Sequence, residues 1–287
     1  MPLVPTADIL GAAARAGLGV GAFNVVQLEH AHALVAGAER AGTAVVLQIS
    51  ENCVRYHGAL APIAAATLAA ARDADVPVAV HLDHVETPAL VDEGVRLGVG
   101  SVMFDASTLP YADNVAATRE TTRRCHDAGV LVEAELGEIG GKDGVHAPHA
   151  RTDPAAAAEF VAATGVDALA VAVGSSHAMA TRDAALDLDL IAAIHAAVPV
   201  PLVLHGSSGV PDHDLTAAVR AGMTKVNIAT RLNAVFTDRV RDLLAAHPSI
   251  VDTRKYLGPA RDAVATEVDR LLGLLHAVPA DLIGTPA

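Results

Sequence analysis

The sequence predicts an α/β fold, a closed (β/α)8 barrel in one domain spanning 1–287, and three observations point there. Short β-rich runs ending in polar or glycine clusters alternate with Ala- and Leu-rich helical stretches along the chain. The β-runs are almost continuously apolar, as strands of a parallel sheet buried on both faces should be. About eight such units occur, the usual content of this barrel. An open doubly wound sheet is the competing architecture. It is disfavoured because the first strand is followed by no glycine fingerprint; Gly21-Ala22-Phe23-Asn24 stands there instead.

In chain order, the first β-run is 19–25, followed by a helix over 29–41. The second is 44–50 with its helix at 60–72, and the third is 76–84 with 87–97. The fourth run, 101–107, leads to the helix 111–128, and the fifth, 131–137, to that at 153–164. The sixth is 168–175 with 187–197, the seventh 200–207 with 212–221, and the eighth 223–230. The stretch 139–152 breaks the pattern. It is rich in Gly, His and charge without helical period, and its length suits an active-site lid hinged at Gly140, Gly141 and Gly144. A helical tail is expected from about 258.

Composition narrows the function. Hydrophobic residues make up 52% of the chain, which excludes intrinsic disorder, and aromatics only 2%, so the core is built from Ala, Val, Leu and Ile. A formal charge of -13 argues against nucleic acid as a partner, since phosphate neutralisation needs a basic surface. It does not exclude a small phosphorylated ligand held by backbone N–H groups. Cys53 and Cys125 are too few for a disulfide scaffold. Apolar runs are broken by charge before they reach the length of a bilayer span, so no membrane partner is expected. The first residues lack a basic, apolar, cleavable leader, and a cytoplasmic location is expected.

In such a barrel, catalytic groups gather at the C-terminal ends of the strands. The third run ends His81-Leu82-Asp83-His84, the sixth Ser175-Ser176-His177 and the seventh His205-Gly206-Ser207-Ser208-Gly209. Histidines at three strand tips can converge as the three imidazoles of a catalytic zinc, leaving a position open for substrate. The fifth run carries Glu133 and Glu135. Asp83, two residues after His81 and therefore on the same side of the strand, has three roles open to it: ligand, orienter of a histidine, or proton carrier. The small-residue loop 205–211 opens a helix and either cradles a phosphate or simply turns the chain. Asn227 and Thr230 at the next strand tip favour phosphate, because barrels often bind it after strands seven and eight. His126, His146 and His149 are expected to be solvent-exposed.

Taken together these stretches resemble the class II, zinc-dependent ketose-bisphosphate aldolases, the fructose- and tagatose-bisphosphate enzymes. The matching pieces are Ala22-Phe23-Asn24, His81-Leu82-Asp83-His84, 101–107, Glu133-Ala134-Glu135-Leu136-Gly137, Gly174-Ser175-Ser176-His177, 204–209 and 225–230, in family order from about residue 3 to about residue 270. The resemblance implies a TIM barrel and a lyase that reversibly cleaves a ketose 1,6-bisphosphate to dihydroxyacetone phosphate and an aldehyde such as glyceraldehyde 3-phosphate. It implies one zinc ion per chain on His84, His177 and His205, an alternative metal position at Glu135, and allows a monovalent cation. By the same comparison Asp83 carries the proton. Asn24, Ser50, Gly206, Ser208, Asn227 and Thr230 contact the substrate. Asn227-Ile228-Ala229-Thr230 is closer to the tagatose-type branch. Three departures from the pattern bear on substrate choice: Ala178 where Gly is usual, Lys142 where the lid of relatives carries acid, and Arg231 in place of a frequent Glu. Asp143 is then the lid residue expected to act as the donor's base, with Glu138 next. A homodimer or homotetramer is expected from the resemblance and from the basic segment Arg254-Lys255-Tyr256. A zinc hydrolase, an aldolase of another ketose phosphate and a non-catalytic sugar-phosphate-binding homologue are the alternatives.

Overall fold

The computed structural model describes residues 2–136, 151–176, 182, 184–277 and 282–283. Eight parallel strands close into a barrel in chain order. They are β1 (Val20–Asn24), β2 (Val45–Ser50), β3 (Val78–Val85), β4 (Ser101–Phe104), β5 (Leu131–Glu135), β6 (Ala168–Ala170), β7 (Leu202–Leu204) and β8 (Met223–Ile228). The helices are α1 (Thr6–Ala16), α2 (Leu28–Ala41), α3 (Glu51–His57), α4 (Leu60–Asp73), α5 (Pro88–Leu97), α6 (Tyr111–Asp127), α7 (Pro154–Thr164), α8 (Leu188–Ala197), α9 (Asp212–Ala221), α10 (Thr230–Ala246) and α11 (Arg254–Leu274). Among the described residues no helix is long and apolar enough to cross a membrane.

The barrel is the one its apolar strands predict, but several β-like runs outlast their ladders. The run 168–175 pairs only through Ala170, and 200–207 only through Leu204. Val173 remains fully buried beyond the ladder, so its apolar character reports burial rather than strand pairing. The C-terminal tail begins earlier than its composition suggests, because α11 runs through Pro259. It packs on α2 and α10.

Side-chain parity sorts the strands into two layers. Val20, Ala22, Val46, Ala79, Met103, Ala168, Ala170 and Val203 share one cluster inside the barrel. Their neighbours Phe23, Leu47, Val80, Leu82, Val102 and Leu204 belong to the shell between strands and helices. Helix α1 plugs the N-terminal mouth, with Ile9, Leu10 and Ala13 joining the interior cluster. Continuing the inward parity toward the other mouth reaches Asn24, Gln48, His81, Asp83, Asp105, Glu133, Glu135, His205, Lys225 and Asn227. The apolar floor of the barrel therefore gives way to a polar ceiling. Most of the expected lid, 139–152, lies outside the described residues. Its last residue is anchored: Thr152 N donates to Ala172 O at 3.0 Å, and Ala172 N donates to Thr152 Oγ1 at 2.8 Å.

Candidate active site

Parity alone would point His84 away from the barrel interior, toward the helices. A break in strand register between Leu82 and Val85 turns it back, and His84 takes a left-handed backbone with φ 48°. That conformation is uncommon for a residue other than glycine and marks a strand end shaped by its site. The ring thereby meets His205 from β7, with His84 Nε2 2.9 Å from His205 Nδ1. On the far side of each ring stands a carboxylate. His84 Nδ1 is 2.7 Å from Asp105 Oδ2, and His205 Nε2 is 2.9 Å from Glu133 Oε1. Asp105 is itself held by the amide and hydroxyl of Ser107, at 3.1 and 2.6 Å.

This donor set fits a divalent cation. When each imidazole gives its N–H to its carboxylate, the two facing nitrogens both present lone pairs, and only a proton or a metal between them removes the repulsion. Asp83, His84 and His205 bring possible ligand atoms within 4.8 Å of one another, and so do His84, Asp105 and Glu135. The field at this point is anionic. Burial alone would lower the His84 pKa, but Asp83, Asp105 and Glu135 around it raise it to about 9. Burial would raise Asp83, but His84, His205 and Lys225 together with the Asn24 hydrogen bond hold it below the usual carboxylate range.

Asp83 is buried and has two different oxygens. Oδ2 accepts from Asn24 Nδ2 at 2.9 Å, while Oδ1 has no hydrogen-bond partner among the described residues. Asn24 is fixed in turn, its Oδ1 accepting from Gln48 Nε2 at 3.2 Å. The amide of Asn24 thus has its nitrogen turned to the carboxylate.

The histidines and Asp83 line one wall of a cleft of about 410 Å³, open to solvent, whose other wall is Gly206, Ser207, Ser208, Asn227, Ala229 and Thr230. Gly206 has φ 65°, and a Cβ there would lie 2.4 Å from Ser176 O, so only glycine lets the β7 turn sit against the loop after β6. Ser208 Oγ accepts from Arg231 N at 3.1 Å, which leaves its own proton to donate into the cleft. Arg182 ties the β6 loop to this wall by pairing with Asp212 and donating to Val210 O at 2.8 Å. Such a rim of small residues, hydroxyls and a helix start suits an anion.

The family model described as "Fructose-bisphosphate aldolase class-II" matches residues 4–278. The chain belongs to this class II aldolase family. Membership implies a lyase. The solved structure of the YdjI aldolase from Escherichia coli K12 is 28% identical, over 98% of this chain and 100% of that one, with a TM-score of 0.86. The fructose-bisphosphate aldolase (Fba) of Campylobacter jejuni, 20% identical over 97% of both chains with a TM-score of 0.80, shares the fold.

Of the residues singled out from sequence, Asn24, Asp83, His84, Gly206, Ser208, Asn227, Thr230 and His205 line one cleft. Glu135 lies beside His84. Ser50 pairs in register with Asp83, and its Oγ caps α3 by accepting from Cys53 N at 3.2 Å. His177, Glu138, Lys142, Asp143, His146, His149 and Ala178 lie outside the described residues. His126 is exposed as expected, although it pairs with Asp167 at 2.8 Å. Arg231, the departure from the frequent Glu, donates through Nε to Glu267 Oε1 at 2.8 Å. Sequence reasoning gave no role to Gln48, Asp105 or Lys225, and none to Glu133 beyond its place on the fifth strand. The signal was present: each is a polar residue at an inward position of an apolar strand or at its tip.

Proposed function

We propose that this chain is a zinc-dependent aldolase that reversibly cleaves a ketose 1,6-bisphosphate, of fructose or tagatose type, into dihydroxyacetone phosphate and an aldehyde such as glyceraldehyde 3-phosphate. The observation that carries the reading is the pair of facing imidazoles, each backed by a carboxylate, beside a buried aspartate and an anion-suited rim. His84 and His205 would hold the ion, with His177 as third ligand and Glu135 near an alternative position. When bound there, zinc supplies Lewis acidity toward the carbonyl and hydroxyl oxygens of the substrate.

The remaining steps belong to the chain. Asn24 holds one oxygen of Asp83, and the other takes the C4 hydroxyl proton as the C3–C4 bond breaks. In condensation Asp83 returns that proton to the aldehyde oxygen, general acid–base assistance that contributes about 10²–10⁴-fold. Gly206, Ser208, Asn227 and Thr230 receive a phosphate of the substrate, Ser208 through its outward proton. Ser50 contacts the substrate from the opposite strand tip. Asp143 in the lid is the proposed base for the α-proton of the donor, with Lys142 reading the distal phosphate. Ala229 in the cleft wall supports a tagatose-type substrate. The working form is a cytoplasmic homodimer or homotetramer of one-domain chains, for which a monovalent cation is a further requirement to be assayed.

The test is a coupled cleavage assay over a panel of ketose 1-phosphates and 1,6-bisphosphates, with zinc and after chelation. Cleavage that stops on chelation and returns with zinc is the expected result. Ligand binding without turnover across the panel would leave a non-catalytic sugar-phosphate-binding protein instead.

A further inference from the structure

Beneath the two histidines the barrel holds a full ion pair, Lys225 Nζ to Glu133 Oε2 at 2.8 Å, with both side chains 0–1% exposed. Burying two charges in a barrel core costs free energy that hydrophobic residues of the same volume would not. The geometry suggests what the pair does. Glu133 uses its two oxygens separately: Oε2 receives Lys225, and Oε1 faces His205 Nε2 at 2.9 Å. Lysine is only a donor and an ionised carboxylate only an acceptor, so the polarity of the chain is fixed from Lys225 upward. The His205 N–H must lie on Nε2, and the lone pair on Nδ1, the atom facing His84. Asn227 Nδ2 lies 3.2 Å from the same Nε2, and Asn227 Oδ1 has no partner among the described residues; turned end for end, that amide accepts from the Nε2 proton as well.

We infer that Lys225 is a positioning residue that sets the tautomer of His205 through Glu133, so that Nδ1 is the metal-binding nitrogen. The inference rests on the metal reading above but makes a separate claim. Its signature is an inversion of polarity. In Glu133→Gln, Lys225 claims the amide oxygen, and the amide nitrogen is forced against His205 Nε2. The imidazole then carries its proton on Nδ1 and cannot bind metal there. In Lys225→Met/Glu133→Gln the amide is free to turn, its oxygen accepts from Nε2–H, and Nδ1 is restored. The second substitution therefore repairs the first, which a purely structural role for Lys225 does not predict.

Two readouts on the full chain test this. Zinc affinity is measured by chelator competition, and the His205 tautomer by long-range ¹H–¹⁵N correlation spectra of the zinc-free protein. Glu133→Gln is expected to weaken zinc binding about 10–100-fold, the usual effect of losing the partner that orients a ligand, and the double variant to recover most of it. Unchanged affinity in Glu133→Gln, or a double variant as weak as the single, would overturn the inference. Glu133→Gln leaves a buried lysine unneutralised; if it does not fold, the spectra of the wild type and the neutral double variant decide. Nε2–H in both supports the inference, and Nδ1–H in the wild type overturns it. A wild type with no affinity for zinc would instead overturn the metal reading, while the spectra still decide the tautomer.

Discussion

Replacing Asp83 by Asn separates the two roles the geometry allows it. The carboxylate lies close enough to His84 and His205 to be a third ligand, yet its Oδ1, without a hydrogen-bond partner among the described residues, is also available to accept a substrate proton. In Asp83→Asn the amide oxygen can keep the bond from Asn24, whose nitrogen is already turned toward it at 2.9 Å. The amide nitrogen then stands where Oδ1 stood and offers a donor in place of a base. If Asp83 carries the proton, kcat should fall about 10²–10⁴-fold, roughly 2.7–5.5 kcal/mol in activation free energy. Zinc should stay. The assay is steady-state cleavage coupled to reduction of dihydroxyacetone phosphate, alongside zinc content after dialysis. Metal lost in parallel with activity would make Asp83 a ligand, and a kcat within about tenfold of wild type would remove it from proton transfer altogether.

The remaining predictions concern metal, fold and acid. Since the His84 pKa is raised to about 9 in the zinc-free chain, zinc binding should release a proton below that pH, and affinity should rise about tenfold per pH unit up to it; a flat titration by calorimetry in two buffers would refute this. Gly206→Ala should lower the melting temperature and zinc content together, since a Cβ would meet Ser176 O at 2.4 Å and the left-handed backbone adds about 1–2 kcal/mol; an unchanged melting curve would contradict it. His30 is buried, neither ring nitrogen has a hydrogen-bond partner among the described residues, the ring stacks on Phe236, and burial lowers its pKa. The unfolded chain therefore binds a proton that the folded chain resists, so His30 stability is present above 6.5 and is lost as pH falls through the lowered value. Substitution by Leu should flatten the acid side of the stability curve by up to about 1.4 kcal/mol per pH unit, read from denaturant midpoints at several pH values.

What the sequence showed and what it hid have physical causes. The barrel was legible because strands buried on both faces are apolar throughout, a pattern that survives without any knowledge of pairing. The histidine tips were legible because polar residues ending apolar runs stand out. The choice between His81 and His84 was not, since strict alternation sends His81 and Asp83 to one side and His84 to the other. Resemblance pointed to His84; the broken register and the φ of 48° turn its ring into the cleft. His81 instead lies deeper, 2.7 Å from Ser101 Oγ, with its pKa pushed well below the ordinary value by burial and by Lys225. Gln48, Asp105, Glu133 and Lys225 were given no role for a related reason. They act on other side chains, so their meaning lies in which oxygen or nitrogen faces which, and spacing carries no information about that. Parity does carry part of it. A lysine at an inward position of β8 and a glutamate at one of β5 cannot both be solvated inside a filled barrel, so they must pair, and a pair in that place can only sit beneath the strand tips. Read this way, the charged interruptions of an apolar strand are the part of such a sequence most informative about how the site is held.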